Sequence, residues 1–358
     1  MRCYSDSLLI LLLLSGAVLG CDLNSTAALN TTIKSVHDTQ QPRKVLLSNN
    51  IQLQLPEAPG VLQMHSADSL ALLAQVTTWP TPTGNITAIK AQPAVVDFNY
   101  DGMSDAVYLV DSEGLVWFIA VEGSGFSAPV LIADFTALNA EFSQPLQTVQ
   151  FTRASSLGVT SPQLMLFLIA TTTDGSDILL AVKHQRQFAQ LLDITALTDR
   201  TAITPDEQRY GISEQLWQTM QQGAGWYIRL AKKVTALPQV YAGVVYFAAA
   251  DAHAINPDCT INENGASQLY AVHMHHAGLV YASRQWLIDG LDNASLTLQS
   301  NTDGQLQLLQ QNDVQQQTLI ADLLAISEQC PDCVAELNAS QFPRLIRLAT
   351  FQAEPGAH

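Results

Sequence analysis

The stretch Asp97-Phe98-Asn99-Tyr100-Asp101-Gly102-Met103-Ser104-Asp105 places side-chain oxygens at its first, third, fifth and ninth positions, with a glycine at the sixth. Calcium is a hard ion that takes roughly six to eight oxygens at about 2.3–2.6 Å. Oxygens at this spacing converge when the chain reverses tightly, which a glycine at position six permits. Asp97, Asn99, Asp101 and Asp105 are therefore the expected side-chain ligands, and Met103 the expected donor of a backbone carbonyl. Position twelve is Tyr108 rather than Glu, so the pattern is not an EF-hand, and Asp105 supplies the last carboxylate. Ca2+ is the cofactor these residues imply; the alternative is an Asx-rich turn that holds no ion.

Other residues that could do chemistry make weaker patterns. Cys330-Pro331-Asp332-Cys333 has redox-motif spacing, but no strand-helix-strand pattern surrounds it. A structural disulfide is the expected use of these cysteines in an oxidising compartment, within the motif or from one of them to Cys259. His273-Met274-His275-His276 reads as a polar strand end and turn, since no third residue completes a metal set. Asp174 and Asp177 flank Gly175-Ser176 as the residues of a hairpin turn do. The sequence contains no nucleophile elbow, zinc-protease helix or phosphate-cradling loop, so the expectation is a binding protein rather than an enzyme.

The elements that would position the loop are short β-prone runs. Ala94 to Val96 and Ala106 to Val110 flank it, followed by Leu115 to Val121, Leu164 to Thr171, Ile178 to Val182, Gly225 to Leu230, Gly243 to Ala248, Gln268 to His273 and Leu296 to Gln299. Asp101-Gly102, Glu113-Gly114, Asp174-Gly175 and Asp303-Gly304 supply turn chemistry between them. Many short strands with loose recurrence at roughly 40 residues point to an all-β, β-propeller-like fold. Ile203 to Gln222 reads as an irregular insertion between blades. Ile320 to Ser327 and Val334 to Leu345 carry apolar residues at spacings of three and four, giving a partly helical C-terminal tail.

The ends suggest an exported chain. Leu8 to Leu14 is an apolar run too short to span a bilayer, and Val18-Leu19-Gly20-Cys21 is similar to the lipobox of bacterial lipoproteins. Residues 1–20 are expected to be a lipoprotein-type signal peptide, with Cys21 the lipidated residue and residues 21–57 a polar tether. The β-propeller is expected over 58–330 and the tail over 331–358. An ordinary secretory peptide is the alternative for the N-terminus. Net charge is −16, which argues against nucleic acid, and the 47% of hydrophobic residues against 13% charged can form a real core. Membrane attachment is expected through the lipid anchor alone.

The loop continues as Asp105-Ala-Val-Tyr108-Leu-Val-Asp111-Ser-Glu-Gly114-Leu-Val-Trp117-Phe118. This string resembles a blade of the C-terminal propeller of the PilY family, proteins of type IV pilus biogenesis and pilus tips. Gly225-Trp226-Tyr227-Ile228-Arg229-Leu230, the run Pro238 to Phe247, and Asp258-Cys259 followed by Gly265 to Ala271 resemble three further segments of that family in the same order. The resemblance covers roughly residues 60 to 280. It implies Asp97, Asn99, Asp101 and Asp105 as calcium ligands, pilus components such as minor pilins or assembly proteins as partners, and calcium-linked control of pilus extension and retraction. Val110 and Phe118 depart from the family's usual Gly and Arg, and the family's large N-terminal region has no counterpart here, so adhesion by that region is not implied. Two rival expectations are a lipoprotein propeller serving as a scaffold for outer-membrane protein assembly, and a propeller enzyme with a quinone cofactor.

Overall fold

The computed structural model describes residues 43–323 apart from 49, 57, 155–159, 185–190, 252–266, 292 and 293. Alternating side chains along short strands build five sheets in chain order. Strands β1 (Arg43–Ser48), β2 (Ile51–Leu55), β3 (Leu62–Ser66) and β4 (Leu72–Val76) form the first as an antiparallel meander. The second contains β5 (Ala94–Val96), β6 (Ala106–Val110), β7 (Leu115–Glu122), β8 (Gly125–Phe126) and β9 (Val130–Asp134). The third starts with β10 (Gln147–Ala154), β11 (Thr160–Thr171) and β12 (Asp177–His184).

The chain then crosses back before finishing the third sheet. Strand β13 (Leu192–Asp193) pairs parallel with β9, and β14 (Thr198–Asp199) pairs parallel with β15 (Gly225–Arg229), which lies against β12. Helices α1 (Pro205–Tyr210) and α2 (Glu214–Gln222) separate β14 from β15. The fourth sheet is β16 (Lys233–Tyr241), β17 (Val244–Ala250), β18 (Gln268–His273) and β19 (Gln285–Leu287). The fifth is β20 (Ser295–Ser300), β21 (Leu306–Gln311) and β22 (Gln316–Ile320).

Each inner sheet is apolar on both faces, because a strand of period two sends successive side chains to opposite sides. On β6, Val107 and Leu109 face the first sheet, packing with Leu53, Met64, Trp79 and Trp117. Ala106, Tyr108 and Val110 face the third, packing with Leu164, Leu166, Leu168 and Leu180. The pattern repeats on β11, whose Met165, Phe167 and Ile169 meet Val245, Phe247 and Ala249 of the fourth sheet. On β17, Tyr246 and Ala248 turn to Leu296 and Leu308 of the fifth. Sheets stacked face to face in chain order are laid out as propeller blades are, and the protein is all-β and propeller-like. Burial of each large apolar side chain contributes about 1.5–3 kcal/mol. Trp79 and Trp226 are fully buried yet satisfied, their indole N–H groups donating to Gly60 O and Met274 O, both at 2.7 Å.

Three expectations change. The expected tether, residues 21–57, includes β1 and β2, whose Leu47, Leu53 and Leu55 are buried; the alternating Ile51-Gln-Leu-Gln-Leu55 packs one face and leaves glutamines on the other. The insertion at Ile203 to Gln222 contains two regular helices, and it lies within the third sheet rather than between blades, because β14 and β15 on either side of it are partners. Ile320 ends β22 and so begins no helix. Cys21, Cys259, Cys330 and Cys333 lie outside the described residues, as do Asp258 and the rest of the expected tail.

Candidate metal centre

The loop from Asp97 to Asp105 joins β5 to β6, and it is closed where Asp105 N–H donates to Val96 O at 2.8 Å. Its side chains cap its own backbone. Asp97 Oδ2 accepts from Gly102 N–H at 2.7 Å, Asn99 Oδ1 from Asp101 N–H at 2.8 Å, Asp101 Oδ1 from Met103 N–H at 2.8 Å, and Asp105 Oδ2 from Phe98 N–H at 2.7 Å. The Asn99 and Asp101 bonds are successive Asx turns, and those of Asp97 and Asp105 close the loop across its width. Tyr100 at φ 59° and Gly102 at φ 86° make the reversal, and a Cβ on Gly102 would meet nothing within 4 Å, so only its backbone angle requires glycine.

The loop is also tied to the sheets on either side. Ser104 N–H donates to Leu47 O of β1 at 2.9 Å, and Gln150 of β10 donates through Nε2 to Asp97 O at 2.6 Å. A change of shape in the loop therefore bears on three sheets together.

All the expected ligands lie on this one loop, in a set of hard oxygen donors suited to calcium. Asn99 Nδ2 donates to Asp101 Oδ2 at 3.1 Å and to Asp105 Oδ1 at 3.5 Å, so the amide sits where two carboxylates face each other. The three carboxylates themselves are not drawn together: among the described residues, no three His, Cys, Asp or Glu side chains are grouped as a metal site. The donor chemistry fits a calcium ion, and Asp97, Asn99, Asp101, Asp105 and the Met103 carbonyl are the groups that could hold it. Tyr100 and Met103 project from the loop, 76% and 47% exposed.

Two further buried carboxylates hold turns, and their reach was not visible in the sequence. Asp111 Oδ1 accepts from the N–H groups of Glu113, Gly114 and Leu115, and Oδ2 from Thr87 N–H at 3.3 Å. Asp177 accepts from Thr171 Oγ1 and from Val234 N–H, both at 2.7 Å, joining the third sheet to the fourth. Burial pushes the Asp177 carboxyl above its ordinary range, against these two hydrogen bonds. Asp174 and Asp177 do flank a hairpin turn, between β11 and β12.

An open cavity of about 700 Å³ lies between the turns of the second and third sheets. Ser112, Glu113, Thr136, Asn139, Glu141 and Thr172 are among its lining residues, which include no His, Cys or Lys. It offers hydroxyls and carboxylates, and two of the hydroxyls are already engaged, Thr136 Oγ1 donating to Asp134 and Thr172 Oγ1 to Asp174.

No protein-family model matches the chain, and no curated protein matches it. Solved structures do. The crystal structure of the Pseudomonas aeruginosa PilY1 C-terminal domain is similar at 12% identity and a TM-score of 0.46, over 75% of this chain and 70% of that one. The quinohemoprotein alcohol dehydrogenase of Comamonas testosteroni is similar at 10% identity and a TM-score of 0.37, over 75% of this chain and 39% of that one. The Myceliophteria thermophila Cps50 (Swd1) β-propeller domain is similar at 10% identity and a TM-score of 0.34, over 80% and 71%. The assignment to the propeller-like class rests on the chain's own stacked sheets.

Proposed function

We propose that this chain is an exported, lipid-anchored accessory of a type IV pilus, which binds calcium at Asp97 to Asp105 and acts through protein contacts rather than catalysis. The observation that carries the proposal is the ordered resemblance to PilY-family segments together with where those segments fall. Asp97 to Phe118 spans β5, the loop, β6 and the start of β7; Gly225 to Leu230 takes in β15; Pro238 to Phe247 runs from β16 into β17; and Gln268 to Ala271 lies on β18. They occupy three consecutive sheets in chain order.

Calcium would act by drawing the loop's carboxylates away from their own backbone amides. Because the loop is bonded to Leu47 and Gln150, that exchange would alter how the first and third sheets are braced against the second. Exposed Tyr100 and Met103 would then be ordered for a partner only in the loaded state.

The test is a deletion strain complemented with the wild type or Asp101→Ala, with sheared surface pilin and twitching scored at defined calcium. Loss of pili or of their calcium response, restored by the wild type alone, supports the proposal. Normal piliation throughout would leave only the fold and favour the outer-membrane assembly scaffold.

A further inference from the structure

We propose that the stacked pair His273 and His276 is an acid-sensitive latch that holds the α1–α2 insertion on the body of the propeller and releases it when the pair takes up a proton. The two rings lie 4.0 Å apart and within 14° of parallel, in the turn that follows β18. Their Nδ1 atoms are both acceptors: His273 Nδ1 takes His275 N–H at 3.2 Å, and His276 Nδ1 takes Gly278 N–H at 3.1 Å. Each Nδ1 is therefore unprotonated, and neutral rings carry their proton on Nε2. A second proton has to go onto Nδ1, where it would point at a backbone N–H and break the turn.

The insertion rests on this turn. Trp217 of α2 sets its indole nearly perpendicular to the rings of His273, His275 and His276, with centroids 6.2, 6.4 and 5.8 Å away. Glu207 of α1 pairs with buried Arg200, whose Nε donates to His276 O at 2.7 Å. A Cβ on Gly278 would stand 2.6 Å from His276 Nδ1 and 2.8 Å from Glu207 Oε1, so turn and helix meet over a residue with no side chain.

Charged groups of both signs surround the turn. Arg200 and Arg284 face the turn, Arg284 through Nη1 to Ala277 O at 3.1 Å, with Tyr270 of β18 beside Arg284 and His275 in the turn itself. Lys183 of β12 caps the far end of α2 on the carbonyls of Met220, Gln221 and Gly223. The facing carboxylate, Glu207, is engaged by Arg200 through one oxygen, and its buried Oε2 has no hydrogen-bond partner among the described residues. Burial alone pushes His273 down to about 4 from its ordinary 6.5. Protons therefore bind the open form first. The latch is at full strength above about 6.5 and weakens as pH falls from there through about 4.

Segment-resolved hydrogen exchange on the full chain, corrected for intrinsic rates, tests this at about pH 7.5 and about pH 4.5. With the ordinary and lowered values of 6.5 and about 4, residues 205–222 should open roughly seventy-fold more at the lower pH, while the control strands 106–119 stay protected. His273→Asn and His276→Asn keep an amide-accepting oxygen near Nδ1 but take no proton, and should flatten the response. Opening of 205–222 no greater than that of 106–119, or a full response in both asparagine variants, overturns the proposal. If either variant fails to fold, the comparison of the two segments in the wild type still decides.

Discussion

A Cβ on Gly225 would stand 1.9 Å from the carbonyl oxygen of Ala181, the backbone of the neighbouring strand in the third sheet. Gly225 also has φ 138°, so glycine is required twice over, by space and by angle. The obstacle is backbone inside a sheet and cannot swing aside. Gly225→Ala should lower stability by about 3 kcal/mol, measured by chemical denaturation. Gly102→Ala, at φ 86° with nothing within 4 Å, tests the angle alone and should cost only about 1 kcal/mol.

The calcium loop gives a paired prediction. Asp101 caps only Met103 N–H and receives Asn99 Nδ2, all on the exposed loop, so Asp101→Ala should leave the calcium-free fold nearly unchanged. Calorimetry should show calcium affinity reduced by roughly tenfold or more, since a charged oxygen donor is lost. Asp105→Ala removes the acceptor of Phe98 N–H at the start of β6, and should also reduce calcium-free stability by about 1 kcal/mol. Unchanged calcium binding in both variants would end the metal assignment.

How much of this was legible depended on how local the signal was. The β5–loop–β6 unit could be read because its ligands, glycine and flanking apolar residues lie within Ala94 to Val110. The β1–β2 hairpin was lost in a polar stretch, since Gln52 and Gln54 alternate with its apolar residues and Gln52 is buried despite being polar. The two helices carried signals that could have found them: Thr204 caps Glu207 N–H ahead of Pro205, and Ser213 caps Leu216 N–H. The roles of Asp111 and Asp177 were out of reach, because Thr87 and Val234 are 24 and 57 residues away.

Asp174 and Asp177, three residues apart, should pull stability in opposite directions with pH. Hydrogen bonds from Thr172 and Ser176 hold exposed Asp174 down to about 2, so its contribution is full above 3.8 and is lost as pH falls through about 2. Burial raises Asp177, so its contribution is greatest below 3.8 and declines as pH rises through its higher folded value. Asp177→Asn loses one of two acceptor contacts but never acquires a charge. It should be less stable than the wild type by about 1–3 kcal/mol near pH 4, with the gap narrowing as pH rises. Urea denaturation across that range measures it, and a gap that widens with pH would contradict the assignment.

Lys183 offers the most local test of what holds the insertion. Its ammonium leaves the polar end of β12 and donates to Met220 O, Gln221 O and Gly223 O, the carbonyls at the C-terminus of α2 that have no helical partner of their own. A cation at that end also opposes the helix dipole's partial negative charge. Lys183→Met keeps most of the stem's packing and removes the three donors. It should reduce stability by about 1 kcal/mol, with raised exchange in residues 214–222 and none in the strands around Leu164 to Leu168. The loss should be the same at pH 7.5 and 5.5, because the ordinary lysine range lies well above both. A pH-dependent loss would mean that the His273–His276 turn and the Lys183 cap act as one unit, and the double variant Lys183→Met with His276→Asn would then show non-additive effects.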